Sequence, residues 1–317
     1  MEITARKHSS NLQSFLAHTT PSVPVYSLSK PNTRDNNFWQ PTGKDRSEYF
    51  TLGDLWDQYS EWSAYGAGVP IVPDNYENVV QYYVPYLSAI QIYTNKSLPC
   101  SRISLEESES ESFSDDSESE KMSKSSSDAL SEDSDVSQES SLHSKETLGQ
   151  LYLHYIEYGS PYRRIPLVDK VNELAEHFPG LMSFKSVEMS PASWMSVAWY
   201  PIYHIPICRN AKDLSACFLT YHTISASFQD NVGNVESAKD FCSTISRTNR
   251  REQKIGNNSI TLSPFGLSTY RMQGSLWRNS GTSDNEMIGT LYNAAQSWLN
   301  QLRVKHHDFD FFTTHSM

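Results

Sequence analysis

The sequence predicts an α+β fold: a mostly antiparallel sheet covered by a few helices and interrupted by a disordered, acidic, serine-rich insert. Three observations carry that expectation. Runs of β-branched and aromatic residues cluster without regular alternation with helical segments, which argues against a parallel doubly wound sheet. Separate segments repeat apolar residues with helical periodicity. Residues 101–145 hold 18 serines and almost no apolar anchors, a composition that buries too little surface to offset chain entropy.

The elements follow in order. Ser10 and Gln13 make a capping-box pattern before Leu12, Phe15 and Leu16, so a short helix is expected, ending at Thr19-Thr20-Pro21. Residues 21–47, rich in Pro and Asn, read as an irregular arm. Leu55, Tyr59 and Trp62 recur at i, i+4, i+7, one face of an amphipathic helix that gives way to a turn over Ala64 to Pro70. Val79–Thr94 reads as one or two strands, with Pro85 marking a bulge, a break or an edge position.

Leu148–Tyr158 alternates in part and predicts another strand. Pro166 opens a helix whose buried stripe is Leu167, Val171, Leu174, Ala175 and Phe178, closed by Pro179-Gly180. Strands are expected around Trp194–His204, around Ala216–Ile224 and within Ser259–Trp277. A long loop, Ser225–Asn258, joins the last two. Ser283 and Glu286 cap a final helix carrying Ile288, Leu291, Ala295, Trp298, Leu299 and Leu302. The tail His306–Phe312 reads as a short strand or a docked end.

The globular parts run from about 10 to 100 and from 146 to 317, one domain interrupted by the 101–145 insert. Loop-closure entropy grows only logarithmically with length, so a fold can carry such an insertion. Of the net charge of −11, the insert holds −9, from 13 acidic against 4 basic residues. The rest is nearly neutral, without the basic stripe that nucleic-acid binding needs. No apolar run reaches the length of a membrane span. Four scattered cysteines, with no CxxC pair and no signal-peptide core at the amino terminus, point to reduced thiols in cytosol or nucleus.

Several constellations invite a chemical reading. His204, Cys208, Cys217 and His222 are zinc-compatible residue types, but the spacing H-x3-C…C-x4-H is no known knuckle; buried cysteine also serves as a small hydrophobe. Asp54, Asp57 and Glu61 lie close together on a helix, where an acid–base set and a solvated face look alike. Gly66-Ala67-Gly68 lacks the lysine and second glycine of a phosphate loop and reads as a turn. His306-His307-Asp308 has the residue types of a metal site or a general base, but near the end of the sequence it is read as a satisfied surface cluster. Arg247–Lys254, with four basic residues, is a weak nuclear-signal or docking candidate. Tyr82, Tyr83, Tyr86, Trp194, Trp199, Tyr200 and Tyr203 are dense enough to line a ligand pocket, although core packing is the commoner use of such residues. No cofactor or metal is expected.

Within the insert, Ser104, Ser108, Ser112, Ser117 and Ser125 each have an acidic residue three positions on. That spacing suits an acidophilic kinase of the casein-kinase type, and each phosphate adds about −1.5 to −2 charges.

Ser10–Pro21, Phe50–Pro70, Val79–Tyr93, Ser193–Pro206 and Asp213–His222 together resemble the plant family called domain of unknown function 789, over nearly the whole chain and with the acidic insert in the same place. The resemblance implies a land-plant source; it implies no activity, catalytic residue, cofactor or ligand. The expectation is therefore a non-enzymatic interaction or regulatory protein with a phosphorylatable acidic loop and an unknown protein partner. The alternative is an enzyme or small-molecule binder with an aromatic-lined pocket.

Overall fold

The computed structural model describes residues 10–29, 46–72, 79–94, 148–202, 215–226, 259–272, 276–277 and 284–315. In chain order these form α1 (Asn11–Thr19), β1 (Ser22–Pro24), β2 (Tyr26–Ser29), β3 (Arg46–Tyr49), α2 (Leu52–Tyr65), β4 (Ala67–Ile71) and β5 (Val79–Thr94). There follow β6 (Gln150–Ile156), a 3₁₀ turn (Pro161–Arg163), α3 (Leu167–His177), α4 (Gly180–Ser183), β7 (Trp194–Pro201) and β8 (Cys217–Thr223). The chain closes with β9 (Ser259–Thr261), β10 (Gly266–Tyr270), α5 (Asp284–Leu302) and α6 (His307–Thr314). The described residues up to Thr94 and from Gly149 onward make one compact unit.

The fold is α+β, and every strand pair among the described residues is antiparallel. The main sheet runs β10-β8-β7-β5-β4, with β6 also on β5. The 16-residue β5 is its spine. β7 lines one edge of it, while β4 takes Val79–Tyr83 and β6 takes Ala89–Thr94 on the other. Pro85 falls in the gap between β4 and β6, so on that edge its missing N–H interrupts no ladder. A bulge follows, where the β7 register shifts between Leu87 and Ala89. The edge position and the bulge expected around Pro85 are both there, within a single strand.

The two faces of the sheet are packed separately. Leu87, Ile90, Val197, Trp199, Phe218 and Leu267 join Leu12, Phe15, Leu55, Tyr59 and Val171 on the α1–α2–α3 side. Ala89, Trp194, Ala198, Leu219 and Tyr221 join Ala295, Leu299, Phe309 and Phe312 on the α5–α6 side. Each fully buried Val, Leu, Ile or Phe among them is worth about 1.5–3 kcal/mol. Helix α5 serves both faces: Leu291 packs in the first cluster, Ala295 and Leu299 in the second. It runs along edge strand β10, where a Cβ on Gly266 would lie 2.8 Å from the Ala295 Cβ. Glycine there lets the helix cover the sheet edge.

The capping box at Ser10 and Gln13 is present, and Ser10 Oγ also donates to Asp284 Oδ1 at 2.8 Å. The apolar stripes of α2 and α3 point inward as their spacing predicts. Ser283 lies outside the described residues, as do most of 21–47 beyond β1, β2 and the start of β3, and most of the 225–258 loop.

Three expectations change. The turn over Ala64–Pro70 shrinks to Gly66, whose φ of 83° closes α2; Ala67 onward is β4, because Ala67, Val69 and Ile71 alternate inward. The 21–47 arm holds two short strands, held by register with β9 and β3. The tail from His307 is docked, as one of its two readings had it, but as helix α6 and not as a strand, since Phe309 and Phe312 recur at helical spacing and both are buried.

Candidate functional site

The bulge of β5 leaves Ser88 without a β7 partner. Leu87 and Ile90 face the α1–α2 side while Ala89 faces α6, so alternation breaks at Ser88. Its carbonyl accepts from the Glu157 N–H at 2.9 Å. Its hydroxyl lies under α6, fully buried, in a polar cluster built from four distant parts of the chain.

The contacts in that cluster are short. Ser88 Oγ lies 2.5 Å from Asp308 Oδ2 and 2.9 Å from His306 Nε2. Tyr221 Oη lies 2.7 Å from His306 Nδ1. Arg164 grips Asp308 with both terminal nitrogens, at 2.5 and 2.7 Å, and donates from Nε and Nη2 to the Gly159 carbonyl at 2.9 and 2.8 Å. Gly159 N–H in turn donates to Glu157 Oε1, and Tyr155 Oη donates to Glu157 Oε2, both at 2.6 Å. The Arg164 and Asp308 side chains are each 2% exposed.

Proton counting orders this network. Asp308 is ionised: burial pushes its pKa up, but the Arg164 guanidinium and the Ser88 hydroxyl outweigh burial and hold it below the usual carboxylate range. An ionised carboxylate only accepts, so the single Ser88 proton points to Asp308. Ser88 Oγ must then accept from His306 Nε2–H. Burial pushes the His306 pKa down to about 4 against the attraction of Asp308, so the ring is neutral and its bare Nδ1 accepts from Tyr221 O–H. The chain of donors runs Tyr221 to His306 to Ser88 to Asp308, with Arg164 closing it.

Ser, His and Asp are also the parts of a hydrolytic triad, but the polarity here is reversed. In a triad the imidazole takes the serine proton and the carboxylate orients the other ring nitrogen. Here the imidazole donates to serine, the carboxylate is neutralised by arginine, and the second ring nitrogen faces a tyrosine. Ser88, His306 and Asp308 are 0%, 1% and 2% exposed. The cluster holds α6 and the 157–164 loop on the sheet.

The reading of His306-His307-Asp308 as a surface cluster is thus corrected: His307 is exposed, while its two neighbours, at the cap and in the first turn of α6, are buried. Helical geometry turns the middle residue outward. Of the partners, Ser88 signals itself as a small polar residue inside a strongly apolar strand run. Arg164 and Tyr221 carry no local signal, because their partners are remote in sequence.

The other candidates separate. Cys217 and His222 are five residues apart on one strand and so project from opposite faces. Cys217 sits in the α5–α6 cluster, where burial pushes its thiol up to about 12. His222 bonds the Leu262 carbonyl at 2.8 Å and Thr220 Oγ1 at 2.9 Å, and burial lowers its pKa to about 4. His204 and Cys208 lie outside the described residues, among which no cluster could hold a metal ion. Asp54 is the third helical residue of a capping box with Thr51, which accounts for it, while Asp57 and Glu61 are exposed. Thr51-x-x-Asp54 was legible in sequence.

The aromatic set divides in the same way. Tyr83 and Trp199 pack on the α1–α2 face, Trp194 on the α6 face with Tyr200 against it, Tyr86 touches Tyr200, and Tyr82 is exposed. The described members of the set are thus divided between the two faces of the sheet. Tyr203, the Arg247–Lys254 cluster and Ser104, Ser108, Ser112, Ser117 and Ser125 lie outside the described residues. Among the described residues no helix is long and apolar enough to cross a membrane.

No curated protein and no solved structure matches the chain. A family match covers residues 10–312, nearly its whole length. The chain belongs to the family described as protein of unknown function (DUF789).

Proposed function

We propose that this protein is a non-enzymatic interaction protein regulated through its acidic insert, which an acidophilic kinase phosphorylates on Ser104, Ser108, Ser112, Ser117 and Ser125. The observation that carries the reading is where the insert is attached. Thr94 and Gln150 are register partners on adjacent strands, so the intervening segment leaves and re-enters the sheet at one place. A hairpin connection there leaves the core contacts of β5 and β6 intact whatever the charge of the loop. Phosphates added to it build a strongly anionic segment beside a nearly neutral body, suited to a basic partner surface. The protein acts in cytosol or nucleus.

The test is a tagged pull-down from cells of the source organism, with and without phosphatase, beside a variant whose residues 95–149 are replaced by a two-residue turn. A partner lost on phosphatase treatment and on replacement is the expected result. A partner recovered equally in all three samples sinks the reading.

A second reading, small-molecule binding, has one observation in its favour. The Tyr59 and Tyr83 hydroxyls are buried in the aromatic core beneath α2 with no hydrogen-bond partner among the described residues. Buried orphan hydroxyls are uncommon and call for a water or a ligand. Native mass spectrometry of the purified protein checks for a retained small molecule.

A further inference from the structure

The chain contains four Ser/Thr-Pro dipeptides, at Thr20, Ser160, Ser190 and Ser263. Proline-directed kinases require proline after the acceptor, and one large class also reads a basic side chain three positions on. The fold sorts the four. Thr20 is half-buried and its hydroxyl donates to the Leu16 carbonyl. Ser190 is buried, and Ser263 is half-buried. Their third residues on are Val23, Ser193 and Gly266, none of them basic.

Ser160 differs on every count. It is exposed and followed by Pro161, and its third residue on is Arg163, also exposed. Its φ and ψ of −59° and 143° are already extended, as the residue before proline must be, and its side chain makes no cap hydrogen bond. Tyr162 between them is 94% exposed. Two backbone bonds shape the turn, Arg163 N to Ser160 O at 3.0 Å and Arg164 N to Pro161 O at 3.4 Å. One 3₁₀ turn opens at little cost for a kinase that grips an extended segment. On either side the segment is anchored, by Glu157 to Gly159 N–H and by Arg164 to Asp308, so the loop stays at the surface.

We propose that Ser160 is a phosphorylation site for a proline-directed kinase that selects a basic residue at the third position, separate from the acidophilic sites of the insert. In the step, Ser160 Oγ attacks the γ-phosphorus of a nucleoside triphosphate and an oxygen–phosphorus bond forms. The bond from that phosphorus to the bridging oxygen breaks, a nucleoside diphosphate leaves with the electron pair, and the serine proton passes to the kinase's catalytic carboxylate. The product carries about −1.5 to −2 charges one turn from Arg163.

The experiment uses the full-length folded chain, a purified proline-directed kinase of basic third-position preference, and ATP, with phosphosites mapped by mass spectrometry. The expected result is near-stoichiometric phosphate on Ser160, absent in Ser160→Ala. Arg163→Ala, at an exposed position that leaves the fold intact, is expected to lower the rate about tenfold, the loss of one charge-assisted contact. Modification of Thr20, Ser190 or Ser263 in place of Ser160, or of Ser160 only after denaturation, would overturn the assignment. An equal rate for Arg163→Ala would overturn the kinase class. Neither result bears on the insert, whose serines are followed by no proline.

Discussion

The Ser88 hydroxyl and the Asp308 carboxylate meet at 2.5 Å across 220 residues of sequence. That contact joins the bulge of β5 to the first turn of α6.

Removing one half of the Arg164–Asp308 pair leaves the other charge buried and unpaired. Arg164→Ala and Asp308→Ala are each expected to cost about 3–5 kcal/mol, whereas Arg164→Met with Asp308→Leu recovers most of the loss. Urea unfolding of the three variants checks this. Equal destabilisation by single and double replacement would mean that the pair acts through packing alone.

His306 and His222 are both neutral in the fold, with pKa values of about 4 against an ordinary 6.5. The unfolded chain therefore binds protons that the folded chain refuses. Stability is complete above pH 6.5 and falls as pH drops from 6.5 towards 4, by on the order of 3 kcal/mol for each ring. Asp308, depressed in the fold, adds a further loss only as pH falls below the ordinary carboxylate range. Unfolding midpoints from pH 7.5 to 4.5 should slope downward, and His222→Gln should remove about half of that slope. A flat profile would show that both rings charge freely.

The donor order assigned above requires the His306 proton on Nε2. Nitrogen chemical shifts of the labelled protein should report that tautomer at neutral pH; a protonated Nδ1 would reverse the chain of donors. Tyr221→Phe deprives Nδ1 of its donor and is expected to cost about 1–3 kcal/mol, read by chemical denaturation.

Tyr59→Phe deletes a buried hydroxyl that has no partner among the described residues. With nothing bound there, stability should stay level or rise by up to about 1 kcal/mol, since the orphan's desolvation cost disappears. A loss of more than about 1 kcal/mol would reveal a bound water or ligand and strengthen the small-molecule reading.

Element type was written locally. The capping box at Ser10, the 3.6-residue stripe through Leu55, Tyr59 and Trp62, and the β-branched and aromatic run of Val79–Thr94 each state their own conformation, because period and cap chemistry are short-range properties. The antiparallel arrangement followed from how such segments are ordered along the chain. Where local signals conflict, reading failed. Gly66-Ala67-Gly68 announces a turn, yet β5 recruits Ala67 and Gly68 as an edge strand. Phe309-Asp310-Phe311-Phe312 alternates in part like a strand, yet the core buries Phe309 and Phe312, at helical spacing, and takes Phe311 only at its margin.

What the sequence determined by itself is the fold class, the position of the acidic insert and the family, since each rests on composition, periodicity or continuous strings. Which polar residues meet was set by packing in three dimensions. Cys217 and His222 looked like ligands and point to opposite faces of one strand. Ser88, Arg164, Tyr221, His306 and Asp308 gave no joint signal and share one buried network. A hydrogen bond acts over about 3 Å, while its partners can be hundreds of residues apart, so only the folded chain brings them within range.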